Sequence, residues 1–361
     1  MPSFREIFPE EDVTAIQAHV VAESRKLADC KGCGEIKPMH ISEHRFNNRL
    51  NHCLSILFTI ITSVLAVAGG DQMPATPQLN RASSASKSTV PFWFLGAWMR
   101  DWIKIKNDPP QGSTAVRDVQ TPILYGDVRI PAARPMFRHA KSLEDLTNQE
   151  LESLFQQDGF SGSTSFRGNT ASWTHDISYG PVNGVDVGRL ERISPSAVYE
   201  SALDNSYQES WWSLSSGDGK YLGIKVTTFS AGKERADRIL TVAGDHFVFA
   251  RNRPKDLPPA KSFADLVTKN HTNRATLIEY LDCEFSYGLV RGGKTPWEIQ
   301  LSTLPWKEGT RLEFADQIAV NESTGKLSPR AEARPGENWT VMVDTMKPHD
   351  LKAVFSPEIR K

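Results

Sequence analysis

The rhythm of apolar and polar positions changes near residue 90. Beyond it come short apolar or alternating runs such as "FLGAWMRDWIKI", "ILYGDVRI", "SWTHDISY", "YLGIKVTTF", "RILTVAGDHFVFA" and "WEIQLSTL", separated by Gly, Pro and Asn. Branched and aromatic residues bounded by turn formers predict strands. One stretch has helical spacing, from Ser142 to Gln157. Ser142 is its N-cap and Asp145 a capping-box-like acid, and Leu143, Leu146, Leu151, Leu154 and Phe155 form an apolar stripe.

Ahead of the strands the pattern is different. "CLSILFTIITSVLAVA" carries no charge, follows Arg45 and Arg49, and ends at Gly69-Gly70. It predicts an N-terminal apolar helix over 53–69, either a transmembrane anchor or the apolar region of a signal peptide. The expected location is therefore a membrane crossed once, or the secretory pathway. Residues 1–52 read as a polar leader and 70–90, rich in Ser, Ala, Pro and Gln, as a flexible linker.

The strand region repeats itself. "GDVRIPAARP" is followed by "AKSLEDL", and "GDHFVFARNRP" by "AKSFADL"; "FSGSTSFRGNTASWTHDIS" has a counterpart in "FSYGLVRGGKTPWEIQLS". These landmarks recur in one order at similar spacing, which predicts two homologous β lobes, 91–203 and 204–361, each with a short helix. Antiparallel sheets of this size remove their edges by closing into a barrel or stacking as a sandwich. The repeat aligns Asp127 with Asp245, which gives that acid a shared structural part and leaves Arg129 particular to the first copy.

The order "VQTPILYGDVRIPAARP", the Trp-led strand "SWTHD", "YQESWW" and "ILTVAGDHFVFARNRP" resembles two-lobed lipocalin-like (calycin) proteins, among them a yeast kinase-interacting family and uncharacterised bacterial proteins. The resemblance covers residues 91–314 and implies a mainly β fold of two tandem lipocalin-like barrel or sandwich lobes. It implies no catalytic residues.

Composition narrows the function classes. A net charge of −1 without a clustered basic face gives no footprint for nucleic acid. Only Cys283 of the four cysteines lies in the strand region, so no disulfide staples it. Cys30-x2-Cys33 with His40 and His44 has the residue types of a zinc site, but the two pairs stand too close, and the segment reads as polar leader. Phosphate loops, dinucleotide fingerprints, nucleophile elbows and H-E-x-x-H are absent from the sequence, so no cofactor or metal is implied.

Alternation sorts the candidate chemistry. Leu124, Gly126, Val128 and Ile130 share one face of their strand; Tyr125, Asp127 and Arg129 share the other, which suits either a solvated exterior or a ligand-lined lumen. Trp98 and Arg100 share a face, as do Trp173 and His175, and Glu209 and Trp211. Were they to converge, His175, Glu209 and Asp127 would supply acid–base catalysis, while Arg129, Tyr125, Arg100, Trp98, Trp173 and Trp211 would bind the ligand. The function expected is a cofactor-independent isomerase or cyclase acting on a hydrophobic small molecule, possible in secondary metabolism. A non-catalytic carrier of such a ligand, or a protein-interaction module, stands beside it.

Overall fold

The segment from Thr114 to Pro131 doubles back because Pro122 cannot donate to a ladder, and the Thr121 Oγ1 beside it accepts from the Leu124 amide at 2.9 Å. The computed structural model describes residues 90–355, except 183–184, 231, 271–272, 322–323 and 331–335, within one unit spanning Arg81–Lys361. The leader with Cys30 and Cys33, the apolar segment 53–69 and the linker lie outside the described residues. Among the described residues no helix is long and apolar enough to cross a membrane.

The first sheet contains β1 (Gly96–Ile105), β2 (Thr114–Gln120), β3 (Leu124–Pro131), β4 (Asp158–Arg167), β5 (Thr170–Trp173), β6 (Ile177–Ser178), β7 (Asp186–Ser194), β8 (Ala197–Ala202) and β9 (Tyr207–Ser215). Its order is β3-β2-β1-β9-β8-β7-β5-β4-β6, and β3 also pairs with β4. That pairing closes an antiparallel barrel of eight strands, with β6 attached to β4. Closure leaves no free edge around the barrel. The segment "YQESWW" belongs to β9, which pairs with both β1 and β8. The barrel therefore runs through Ser215, and β9 completes it instead of opening the second body.

The second sheet is open. It comprises β10 (Tyr221–Ser230), β11 (Lys233–Ala243), β12 (His246–Arg251), β13 (Glu284–Leu289) and β14 (Glu298–Ser302), and later β17 (Glu337–Asp344), in the order β14-β13-β12-β11-β10-β17. The expectation of two barrel-like lobes holds for one: the chain is mainly β, with one closed barrel and one open sheet. The short hairpin of β15 (Ile318–Val320) and β16 (Leu327–Pro329) precedes β17.

Alternation on β12 explains why "FVFA" is apolar on both faces. Val248 and Ala250 join the core shared with the barrel, while Phe247 and Phe249 join a second core on the far side. That far core is filled by Trp297, Phe314 and the last described helix, Pro348–Phe355, where the Val354 carbonyl accepts from the Trp297 indole at 2.8 Å. On β3, Leu124 and Val128 enter the shared core. Gly126 is required there, since a Cβ on it would lie 2.5 Å from Val248 Cγ1.

The predicted helix at 142–157 is broken. A 3-10 turn, Leu143–Asp145, is held by the Asp145 carboxylate accepting from the Lys141 and Ser142 amides at 2.8 and 3.0 Å. Thr147 then caps a separate helix, α1 (Asn148–Leu154), whose Glu150 accepts from the Thr147 amide at 2.8 Å. Two capping boxes five residues apart restart the helix, so the stripe is split between two short pieces. The repeated word folds alike on the other side: Asp265 accepts from the Lys261 amide at 3.0 Å, at the start of α2 (Phe263–Asn270). Helix α3 (Arg274–Leu281) follows, and its Arg274 donates to Asn148 of α1 at 3.0 Å.

The alignment of Asp127 with Asp245 does not survive. Asp127 pairs with Phe160 inside the barrel wall, whereas the matching Phe285 pairs with Ala250; Asp245 sits in the β11–β12 turn and bonds Arg291 at 2.8 Å. Matching the Gly-Asp words slides one strand along the other, because the two copies have different hairpin lengths. Asp127 has no acidic counterpart in the second sheet.

Candidate active site in the barrel lumen

Of the two faces that alternation left open on β3, the ionisable one is the lumen. Tyr125, Asp127 and Arg129 border a cavity of about 30 Å³ inside the barrel. Its walls are aromatic on several sides, from Phe94, Trp98, Phe160, Trp173 and Trp211, with Asp118, Asp186 and Glu200 among them. Gly188 leaves room for two of these, because a Cβ there would come within 3.0 Å of Glu200 and 3.2 Å of the Trp173 ring.

Strand register organises the carboxyls into pairs. Asp118 on β2 stands opposite Asp127 on β3, and Glu200 on β8 opposite Glu209 on β9. Directly opposed side chains in an antiparallel ladder have Cβ atoms about 4.5–5.5 Å apart. In each pair one member is held by arginine. The Arg129 Nε and Nη2 donate to the two oxygens of Asp127 at 2.8 and 3.2 Å, and Arg100 donates to Glu209. Arg129 also lies over the Phe160 ring, 5.2 Å from its centre.

The other member of each pair makes no ion pair among the described residues. Glu200 accepts from the Tyr207 hydroxyl at 2.9 Å; burial, with help from the Glu209 and Asp186 charges, pushes its pKa up to about 8. Burial and the neighbouring Asp127 and Glu200 push Asp118 well above the ordinary 3.8. Asp158, at the end of the β3–β4 ladder, is raised to about 6 by burial, against the pull of Arg129. A carboxyl removed from water beside another negative charge keeps its proton. Burial thus favours the protonated forms of Glu200 and Asp118, which stand opposite the arginine-paired Glu209 and Asp127.

Two polar atoms in this wall are unsatisfied. Asp118 Oδ1 and Trp211 Nε1 are the buried side-chain nitrogen and oxygen atoms without a hydrogen-bond partner among the described residues. By contrast, Trp98 Nε1 donates to the Phe94 carbonyl at 2.9 Å, and the Tyr125 hydroxyl donates to the Thr174 carbonyl at 3.2 Å.

The residues proposed from sequence divide cleanly. Trp98, Tyr125, Asp127, Arg129, Trp173 and Trp211 all line the cavity. Arg100 and Glu209 form a buried ion pair, with side chains 7% and 4% exposed. His175 is elsewhere: β5 ends at Trp173, so strand alternation does not carry past it to position 175. Its ring stacks on Phe160 with centres 4.2 Å apart and its Nε2 lies 3.2 Å from Asp186, but it lines an outer polar groove of about 870 Å³ with Asp176, Lys225 and Arg235. Sequence reasoning missed Asp118, Asp186 and Glu200. Among the described residues no group of three or more His, Cys, Asp or Glu side chains is placed to hold a metal ion.

Compared with known protein families, curated proteins and solved structures, the chain matches none.

Proposed function

We propose that the protein is a cofactor-independent isomerase or cyclase that acts on a hydrophobic small molecule by acid–base catalysis in the barrel lumen. The observation that supports this is the pair Asp118 and Asp127: two opposed carboxyls whose surroundings differ, one buried with no ion pair among the described residues and one bridged by Arg129. Environments that drive two neighbouring carboxyls apart assign one as acid and the other as base. Asp118 delivers a proton to the substrate and the Asp127 carboxylate takes one from it. One proton in and one out leaves the mass of the substrate unchanged, which is the balance of an isomerisation or ring closure. The faces of Trp98, Trp173 and Trp211 exclude water and favour positive charge developing on carbon. The Glu200 and Glu209 pair, held by Arg100, offers a second acid and base to the same chamber.

The eight-stranded closure agrees with a lipocalin-like barrel, and calycin kinship is part of this proposal. Against a plain carrier stands the lining itself, since a site for an apolar cargo has no use for several buried carboxyls.

The test is an untargeted one. Full-length protein is incubated in D2O with an apolar metabolite extract of its source, and products are compared by mass spectrometry with those of Asp127→Asn and Asp118→Asn. A product of unchanged heavy-atom composition, made by the wild type and lost in both variants, is the expected result. Equal conversion by all three proteins overturns the assignment. Retention of a compound without conversion by any of them makes the protein a carrier.

A further inference from the structure

We infer that the lumen contains a subsite for a carbonyl oxygen, formed by the Asp118 carboxyl and the Trp211 indole N–H. This rests on the lumen being the functional site, as proposed above, and adds the functional group its ligand must carry.

The argument starts from hydrogen-bond accounting. Buried polar atoms in folded proteins are almost always paired, so each exception calls for a reason. Here the exceptions among the described residues are Asp118 Oδ1 and Trp211 Nε1, on residues 8% and 6% exposed, and both residues border the same cavity. Other polar groups of the wall are engaged: Asp127 by Arg129, Glu200 by Tyr207, Tyr125 by the Thr174 carbonyl and Trp98 by the Phe94 carbonyl. Leaving a buried polar group unpaired is destabilising, so a wall that keeps two of them beside one cavity is arranged for a third party.

The chemistry of the two groups selects that party. An indole N–H is a donor only. Burial beside other negative charges favours the protonated Asp118 carboxyl, which donates through its hydroxyl, so both residues offer a donor to an acceptor in the cavity they border. Two donors aimed at a single oxygen are the arrangement that stabilises charge developing on a carbonyl. An ammonium or a second donor group on the ligand would leave the Trp211 N–H unpaired, and a pure hydrocarbon would leave both. The cavity, about 30 Å³, matches one water-sized group. The oxygen therefore seats without rearrangement, while the carbon skeleton needs the lining aromatic rings to turn aside.

The experiment uses two matched pairs of probes, acetone with isobutene and cyclohexanone with methylenecyclohexane, in which a methylene replaces the oxygen. Full-length protein carrying 15N-tryptophan shows its indole N–H signals, and the one missing from Trp211→Phe is assigned to Trp211. The expected result is a downfield shift of that signal with a ketone, and binding at least about tenfold tighter than that of the alkene, lost in Trp211→Phe. Equal affinity for ketone and alkene, no binding of any probe, or unchanged ketone preference in both Trp211→Phe and Asp118→Leu would each overturn the subsite. Because the measurement is made on wild-type protein first, a variant that fails to fold does not decide it. Ketone preference in a protein that converts nothing would uphold the subsite while removing the acid–base proposal.

Discussion

Asp118 and Asp127 stand directly opposite each other on β2 and β3, and they are unequal: Arg129 bridges Asp127 at 2.8 Å, while one oxygen of Asp118 has no partner. The inequality has consequences for stability as well as chemistry. Asp118→Asn replaces a carboxyl whose burial favours the protonated form with an amide of the same shape, and shifts stability by less than about 1 kcal/mol. Asp127→Asn strands Arg129, whose side chain is 27% exposed, so the loss is moderated by solvent and comes to about 2 kcal/mol. Urea denaturation of the two variants measures the difference, and equal losses would show that the pair is symmetric after all.

The protonated carboxyls also set a pH dependence. Glu200 is raised from 4.5 to about 8, so across that window the folded state holds a proton the unfolded chain has released. Stability conferred by that proton is complete below pH 4.5 and is lost as pH rises through about 8. His246, lowered by burial from 6.5 to about 4, acts in the opposite direction, but only below 6.5. Asp158, at about 6, has likewise finished titrating by then. Between pH 6.5 and 8 unfolding free energy therefore falls with pH, by up to ~1.4 kcal/mol per unit for the Glu200 proton, and the raised Asp118 acts in the same direction. Glu200→Gln reduces this slope. A wild-type profile that is flat or rising in that interval would show that Glu200 is charged in the folded protein.

The Arg-Pro corners join the two sheets. Arg134, after β3, donates to the Ser302 carbonyl at the end of β14 and to Glu308. Arg253, after β12, donates to the Ser178 carbonyl of β6 at 2.9 Å, to Tyr179 and to the Tyr280 carbonyl at 3.1 Å. Each corner thus reaches across to a strand at one end of the other sheet's order. Arg253 is 4% exposed, and truncation leaves buried carbonyls without a donor. Arg253→Met should cost about 3 kcal/mol or more, with Arg253→Lys recovering little, since one ammonium cannot reproduce the planar fork. Thermal unfolding reports this, and a lysine variant as stable as the wild type would show that charge alone suffices.

Much of this site was within reach of the sequence. The Thr121-Pro122 turn fixes an antiparallel register that puts Asp118 opposite Asp127, and the Asp204-Asn205 turn does the same for Glu200 and Glu209. Local hairpins carry that information, and following them outward from the turns would have found two of the three missed acids, Asp118 and Glu200. The lumen itself was not legible, because it depends on β3 pairing with β4 across the intervening helix segment, and no local pattern specifies closure. His175 was misplaced for a related reason: alternation holds only while the strand lasts, and β5 stops two residues earlier. The second sheet differs from the first because its counterpart of Trp173, Trp297, enters an apolar core sealed by the last helix.

The close approach of the sheets gives a prediction that is independent of chemistry. Gly126 presents no side chain to the second sheet, and a Cβ there would meet Val248 Cγ1 at 2.5 Å and Val248 Cβ at 2.8 Å. Its strand is fixed on the other side by the lumen residues Tyr125 and Asp127, so it cannot simply retreat. Gly126→Ala should destabilise by about 1–3 kcal/mol through overpacking. The clash is with a branched side chain and not with backbone, so it can be relieved from the partner strand. The double variant Gly126→Ala with Val248→Ala removes the offending methyls and should be more stable than the sum of the two single losses, a positive coupling of about 1 kcal/mol or more. Strict additivity in a double-mutant cycle would mean that the two sheets do not meet at Gly126 and Val248, and the orientation of Tyr125, Asp127 and Arg129 into the lumen would lose its structural basis.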